Sequence, residues 1–138
     1  MKIRALLVLL LLGLCACVPT LSSMTLVYAS PAESVLTAAA QLGPSLRPGG
    51  DFGAFRIESR TAQTLTLAAS ETMGSQVVGA LAGQGRATVR VFVSVTPLGQ
   101  GRVQATVSAV PADNAAAMNA AGQLAARLEG RFGSMGAQ

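Results

Sequence analysis

The chain has 138 residues, enough for one compact domain and too few for several. It has no His, its one Lys is Lys2, and its two cysteines, Cys15 and Cys17, lie near the start. Past residue 17 this composition excludes Ser-His-Asp and Cys-His nucleophiles, Schiff-base chemistry and the usual zinc ligand sets.

The first element is an export address. Lys2 and Arg4 precede an apolar run over residues 5–12, and a small-residue site follows at Leu14-Cys15-Ala16-Cys17. A basic start, an apolar segment of about 7–15 residues and a small-residue cleavage site describe a secretory signal. Gly13 interrupts the run and Pro19 ends it, short of the roughly 20 apolar residues a spanning helix needs. These four residues resemble the lipobox of bacterial lipoproteins. Leu14 fits position −3, Cys15 position −2 and Ala16 position −1, with Cys17 as the acceptor; Leu14 is too large to stand directly before an acceptor at Cys15.

That resemblance implies a signal peptide over 1–16, lipidation of Cys17 and a mature chain of 122 residues, the full 138 less the 16 removed. The net charge of +4 would fall to +2, with eight Arg against six acidic residues. No concentrated basic footprint of a nucleic-acid binder remains. Several acyl chains imply permanent tethering. Val18 in place of Asp implies the outer membrane of a bacterium with two membranes. The alternative is cleavage after Ala29, in the sequence Val27-Tyr28-Ala29, which would release a soluble secreted or periplasmic protein from Ser30. Ala29 lies far beyond the apolar run, which favours the lipobox.

Residues 17–29 read as a tether that can end in an edge strand over 24–28. Its dozen residues after Cys17 span about 40 Å when extended. Ser30-Pro31-Ala32-Glu33 then starts a helix, with Ser30 as cap, Pro31 at the first helical position and Glu33 completing a capping box. Val35, Leu36, Ala39 and Leu42 share one face, and Gly43-Pro44 closes the helix. A loop rich in Pro and Gly follows to Asp51.

Residues 55–60 and 64–69 alternate apolar or small residues with polar ones, which predicts two half-buried strands with Leu65, Leu67 and Ala69 inward. The segment 70–85 is ambiguous. Met73, Val77 and Leu81 recur four apart, as on a helix, yet Gly74 and Gly79 each cost about 1 kcal/mol there. It reads as a weak helix or a plain strand connection. The second pair is a stronger signal. Val89, Val91, Val93 and Val95 alternate with Thr88, Arg90, Phe92 and Ser94. Beyond the turn Pro97-Leu98-Gly99-Gln100-Gly101, Val103, Ala105, Val107 and Ala109 resume the pattern. A last helix opens near Asp113, with Asp113 or a neighbour as cap. Met118, Ala121, Leu124, Ala125, Leu128 and Phe132 form its apolar stripe, Arg127, Glu129 and Arg131 face water, and Gly133 ends it. Residues 134–138 read as a disordered tail.

The expected fold is α+β in two layers. An antiparallel sheet of about four strands, in two hairpins, has an N-terminal and a C-terminal helix packed on one face. A single domain covers 30–133. No disulfide can brace it, and Val, Leu, Ala and Met must fill its core.

Few residues carry chemistry. Asp51 and Glu58 are the one carboxylate pair to consider for glycosidic hydrolysis, and nothing else marks a sugar cleft. Gly83-Gln84-Gly85-Arg86 lacks the Lys and Ser/Thr of a phosphate loop. Arg56, Arg60, Arg90 and Arg102 fall on the polar side of the strands, with Phe92 beside Arg90. Together they form a candidate contact surface for anionic envelope components or a partner's carboxylates, which guanidinium groups grip in two-pronged fashion.

Beyond its signal the chain resembles, in outline, the small α+β lipoproteins of bacterial envelopes. The resemblance implies a non-enzymatic binding or assembly module, membrane-tethered through Cys17, with no metal or cofactor. Its partner would be an envelope protein or an anionic envelope component, and no nucleic acid. The other reading is a carrier or sensor for a small apolar ligand, held between the helices and the valine-lined sheet.

Overall fold

The computed structural model describes residues 23–74, 77, 81, 83 and 87–133. The expected signal peptide over 1–16, Cys17 and the expected tail over 134–138 lie outside the described residues. The fold is α+β, with one antiparallel sheet of five strands, one more than the two hairpins supply. The strands are β1 (Ser23–Tyr28), β2 (Arg56–Arg60), β3 (Thr64–Ser70), β4 (Thr88–Gly99) and β5 (Arg102–Val110). The helices are α1 (Ala32–Leu42) and α2 (Ala115–Phe132). The strand order is β1-β5-β4-β3-β2.

The extra strand is β1. Half of the stretch read as tether pairs with β5, from Ser23 opposite Ser108 to Tyr28 opposite Val103. Leu26 and Tyr28 alternate as a strand requires, and both are buried in the core.

β3, β4 and β5 follow the alternation of their sequences, whereas β2, expected to be half-buried, is exposed along its whole length. On β3 Leu65, Leu67 and Ala69 are buried; on β4 Val89, Val91, Val93 and Val95; on β5 Val103, Ala105, Val107 and Ala109. Strand pairing aligns these sets, for example Leu67 with Val91 and Val91 with Ala109. The β2–β3 connection closes on Thr61, whose Oγ1 accepts from the N–H groups of Gln63 and Thr64. The β4–β5 turn is tighter than its composition suggests. Pairing continues past Pro97 through an irregularity to Gly99 opposite Arg102. Only Gln100 and Gly101 make the corner, at φ of 55° and 69°. Positive φ at both central positions suits the right-handed twist of a hairpin.

α1 starts differently from expectation. Pro31 is its N-cap and no side chain caps it; the Pro31 carbonyl accepts from Ser34 and Val35 instead. Ser30 and Glu33 therefore form no capping box. Val35, Leu36, Ala38 and Ala39 are its buried residues, and the chain tightens into a 3-10 turn at Gly43–Ser45. A Cβ on Gly43 would stand 2.9 Å from Leu67 Cδ2, so glycine here allows α1 to approach β3 closely.

In α2 the cap is Asn114, whose Oδ1 accepts from the Ala117 N–H at 3.0 Å. Ala117, Ala120, Ala121, Leu124, Ala125 and Leu128 are buried. Met118 lies outside that stripe and is exposed. Gly133, at φ 65°, ends the helix. Phe132 packs on Tyr28 with ring centroids 5.6 Å apart. The loop before β2 contributes Leu46 and Phe55 to the same core. Gln123 and Asn119 fasten that loop to α2 by donating to the Arg47 carbonyl, and Asn119 also donates to Pro48.

Candidate functional site

Between the inward residues of the sheet lies a second set that does not enter the core: Thr64, Thr66, Ala68 and Ser70 on β3, Arg90, Phe92 and Ser94 on β4, Arg102, Gln104, Thr106 and Ser108 on β5. These are half-buried or exposed, because their neighbours on that face are one another. Phe92 stands near the middle, opposite Thr66 and Ser108, and is 36% exposed. Arg90 is two residues away, about 7 Å along the same strand.

Arg90 is gripped. Its Nε donates to Glu58 Oε2 at 2.7 Å and a terminal nitrogen donates to Oε1 at 2.8 Å. This two-pronged bond holds the Glu58 carboxyl below the usual carboxylate range and raises the guanidinium further. Glu58 is the member that the sequence did not mark as part of this cluster. The alternation of Arg56 and Glu58 hinted at it, but its partner depended on the pairing of β2 with β3. Arg56 lies on the same face, opposite Ala68, which in turn lies opposite Arg90. A shallow groove of about 290 Å³ runs beside it, lined by Gly53, Ala54, Arg56, Ala68, Ser70 and Glu71.

Two residues of the expected surface are elsewhere. Arg60 is on the opposite side of the sheet. A bulge between Ile57 and Ser59 advances the register, so Arg60 faces the buried Leu65 position and donates to Thr37 Oγ1 on α1 at 2.8 Å. Arg102 keeps the expected face but sits at the other end, opposite Gly99. That is about 30 Å along β4 from Arg90. The cluster is therefore Arg56, Glu58, Arg90 and Phe92.

Asp51 and Glu58 do not form a hydrolytic pair. The Asp51 carbonyl accepts from Thr72, whereas Glu58 lies at the Thr66–Leu67 level of β3. Five or six residues of extended chain separate those levels by roughly 16–20 Å, beyond the spacing of about 5–9.5 Å that glycosidases use. Glu58 is moreover held ionised by Arg90, the opposite of a proton donor's requirement. Among the described residues, no three of His, Cys, Asp and Glu gather closely enough to hold a metal ion.

Between helices and sheet, Leu65, Leu67, Val91, Val93, Leu124 and Leu128 are fully buried. The larger grooves lie at the margins. One of about 440 Å³ runs between β1 and α2, along Met24, Leu26, Gly122 and Ala125. No protein-family profile matches the chain, and no curated protein matches it in sequence.

Proposed function

We propose that the chain is a lipid-tethered module of the bacterial cell envelope that works by binding or assembly and performs no catalysis. The observation that carries this reading is the basic and apolar leader running into Leu14-Cys15-Ala16-Cys17. The rest of the molecule supports it. Helices and sheet share one core containing residues of α1, α2 and β1 together with β3, β4 and β5. That supports a two-layer domain with both helices on one face and the Arg56–Glu58–Arg90–Phe92 cluster on the other. Arg90 is already held by Glu58, so Arg56, on the same face as the Phe92 ring, is the guanidinium of the cluster left to meet a carboxylate or other anionic group. Leu65, Leu67, Val91, Val93, Leu124 and Leu128 are fully buried, and the groove between β1 and α2 is the place left to the carrier reading.

The test is Cys17→Ser, followed by fractionation and intact-mass measurement. The parent should gain acyl mass and stay with the membrane, and the variant should lose both. A parent chain of unmodified mass in the soluble fraction, beginning at Ser30, would overturn the anchor.

A further inference from the structure

The two edges of the sheet are built differently. β2, at one edge, carries Arg56, Glu58 and Arg60, and a bulge between Ile57 and Ser59 interrupts its pairing. Charges and bulges keep sheet edges from joining other strands. β1, at the other edge, reads Ser-Met-Thr-Leu-Val-Tyr, with no charge and no proline. Its register against β5 runs unbroken from Ser23 to Tyr28.

Strand pairing fixes which backbone groups of β1 stay unpaired. The Val95 N–H donates to the Gln63 carbonyl, on the β3 side of β4. Successive residues of an antiparallel ladder turn their N–H and C=O groups to alternate neighbours. Ser94 and Thr96 therefore turn to Thr106 and Gln104 of β5. Ala105 and Val107 of β5 then turn to Leu26 and Met24 of β1. Ser23, Thr25 and Val27 are left to direct their N–H and C=O groups outward, and no other backbone group among the described residues meets them.

Beside this edge runs the groove of about 440 Å³ between β1 and α2. Met24 and Leu26 line it from the strand, Gly122, Ala125 and Ala126 from the helix, and Glu129 is its one charged lining residue. Met24 is only partly buried, and a Cβ on Gly122 would meet nothing within 4 Å. The groove has room for the side chains of a further strand.

We propose that β1 pairs with β1 of a second copy, antiparallel about a twofold axis at Thr25, so that the two sheets become one. This register uses the outward groups of all three residues: Thr25 bonds to the copy's Thr25, and Ser23 to the copy's Val27. It sets the copy's Leu26 opposite Met24 on the groove side, and the copy's Met24 opposite Leu26. The groove and the apolar side chains that fill it then belong to the same residues in both copies, as an isologous contact requires. Threonines directly opposite one another are a favourable cross-strand pair. An uncharged strand meets its own uncharged copy without repulsion and offers nothing by which a charged strand would be selected. This contact stands independently of the lipid anchor.

Thr25→Pro removes an N–H that β5 does not use, so the β1–β5 ladder stays intact. The purified full-length chain, in a mild detergent, should be dimeric by light scattering and sedimentation. Thr25→Pro should weaken the dimer roughly tenfold or more, because the axis makes each lost N–H count twice, and its circular dichroism spectrum should not change. Thr25→Lys, which keeps the N–H and sets like charges across the axis, should also weaken the dimer, and it decides the matter should the proline variant fail to fold. Thr25→Cys should form a disulfide between copies, its Cα atoms lying about 5.5 Å apart. Ser23→Cys, at about 14 Å from its counterpart, should not. A parent chain that is monomeric in concentrated solution, a dimer that survives both substitutions at 25, or equal crosslinking at 23 and 25 would each overturn the pairing. So would a Thr25→Cys crosslink in cells to a chain of different mass, which would give the edge to another protein.

Discussion

Glu58 and Arg90 are both about 40% exposed, so solvent weakens their two-pronged bond. Its effect should nonetheless be visible in pH dependence. The Glu58 carboxyl is held low in the folded state, so its contribution is present above the unfolded carboxylate range and is lost as pH falls through the folded value. Glu58→Gln should therefore lower Tm slightly at neutral pH, and the gap should close in acid. A gap that persists unchanged at low pH would rule the pair out as its source. Tyr28 acts at the other end of the scale. Burial, reinforced by Glu129, pushes its phenol up to about 12. Its stabilising effect is complete below the unfolded value near 10 and is lost as pH rises towards 12. The Tyr28 hydroxyl is buried and has no hydrogen-bond partner among the described residues. Tyr28→Phe removes an unsatisfied polar group, so denaturant titration should show no loss, or a gain of up to about 1 kcal/mol. The variant should also lose that part of the alkaline destabilisation. Phe92 carries the contact reading. Its ring is about two-thirds covered by its strand neighbours, so Phe92→Ala should cost about 1 kcal/mol or more in lost cross-strand packing while leaving the fold intact. If the proposed contact is made in cells, crosslinks formed by the parent chain should weaken in the variant; undiminished crosslinking would move the contact away from this face.

At the level of elements, Gly43, directly after α1, allows a close fit against β3. Ala at Gly43 would crowd the fully buried Leu67. Overpacking costs about 1–3 kcal/mol, and the gain in helix propensity returns roughly 1 kcal/mol. Gly43→Ala should thus destabilise by about 1 kcal/mol, and the sign should reverse in a Leu67→Ala background. Equal effects in both backgrounds would show that the crowding is relieved elsewhere. The hairpins and α2 were legible because their period is written locally: valines alternate over residues 89–95, and Leu124 and Leu128 fall one turn apart. What depends on a partner was not. The Arg60 side chain changes face because β2 bulges against β3. Pro31, not Ser30, stands at the N-cap of α1, and no side chain caps it. Met24, Leu26 and Tyr28 alternate too, and the edge strand read over 24–28 is there as β1; that its partner is β5, some 80 residues further on, was not legible.

For the molecule as a whole, that last pairing has a temporal side. The first described strand can be completed only by the last, since among the described residues β1 has β5 as its sole neighbour in the sheet. Contacts between such distant segments form after loop closure over most of the chain and slow the approach to the native state. A polypeptide emerging N-terminus first presents β1 long before β5 exists. Until then the uncharged sequence Ser-Met-Thr-Leu-Val-Tyr has unpaired backbone groups along both sides, a template that other chains can join. The β4–β5 hairpin, whose strands are joined by Gln100 and Gly101 alone, has no such wait. The strand nearest the proposed anchor is thus the last to be secured, and the interval before β5 arrives is when this protein is most open to capture by a chaperone or by its own kind.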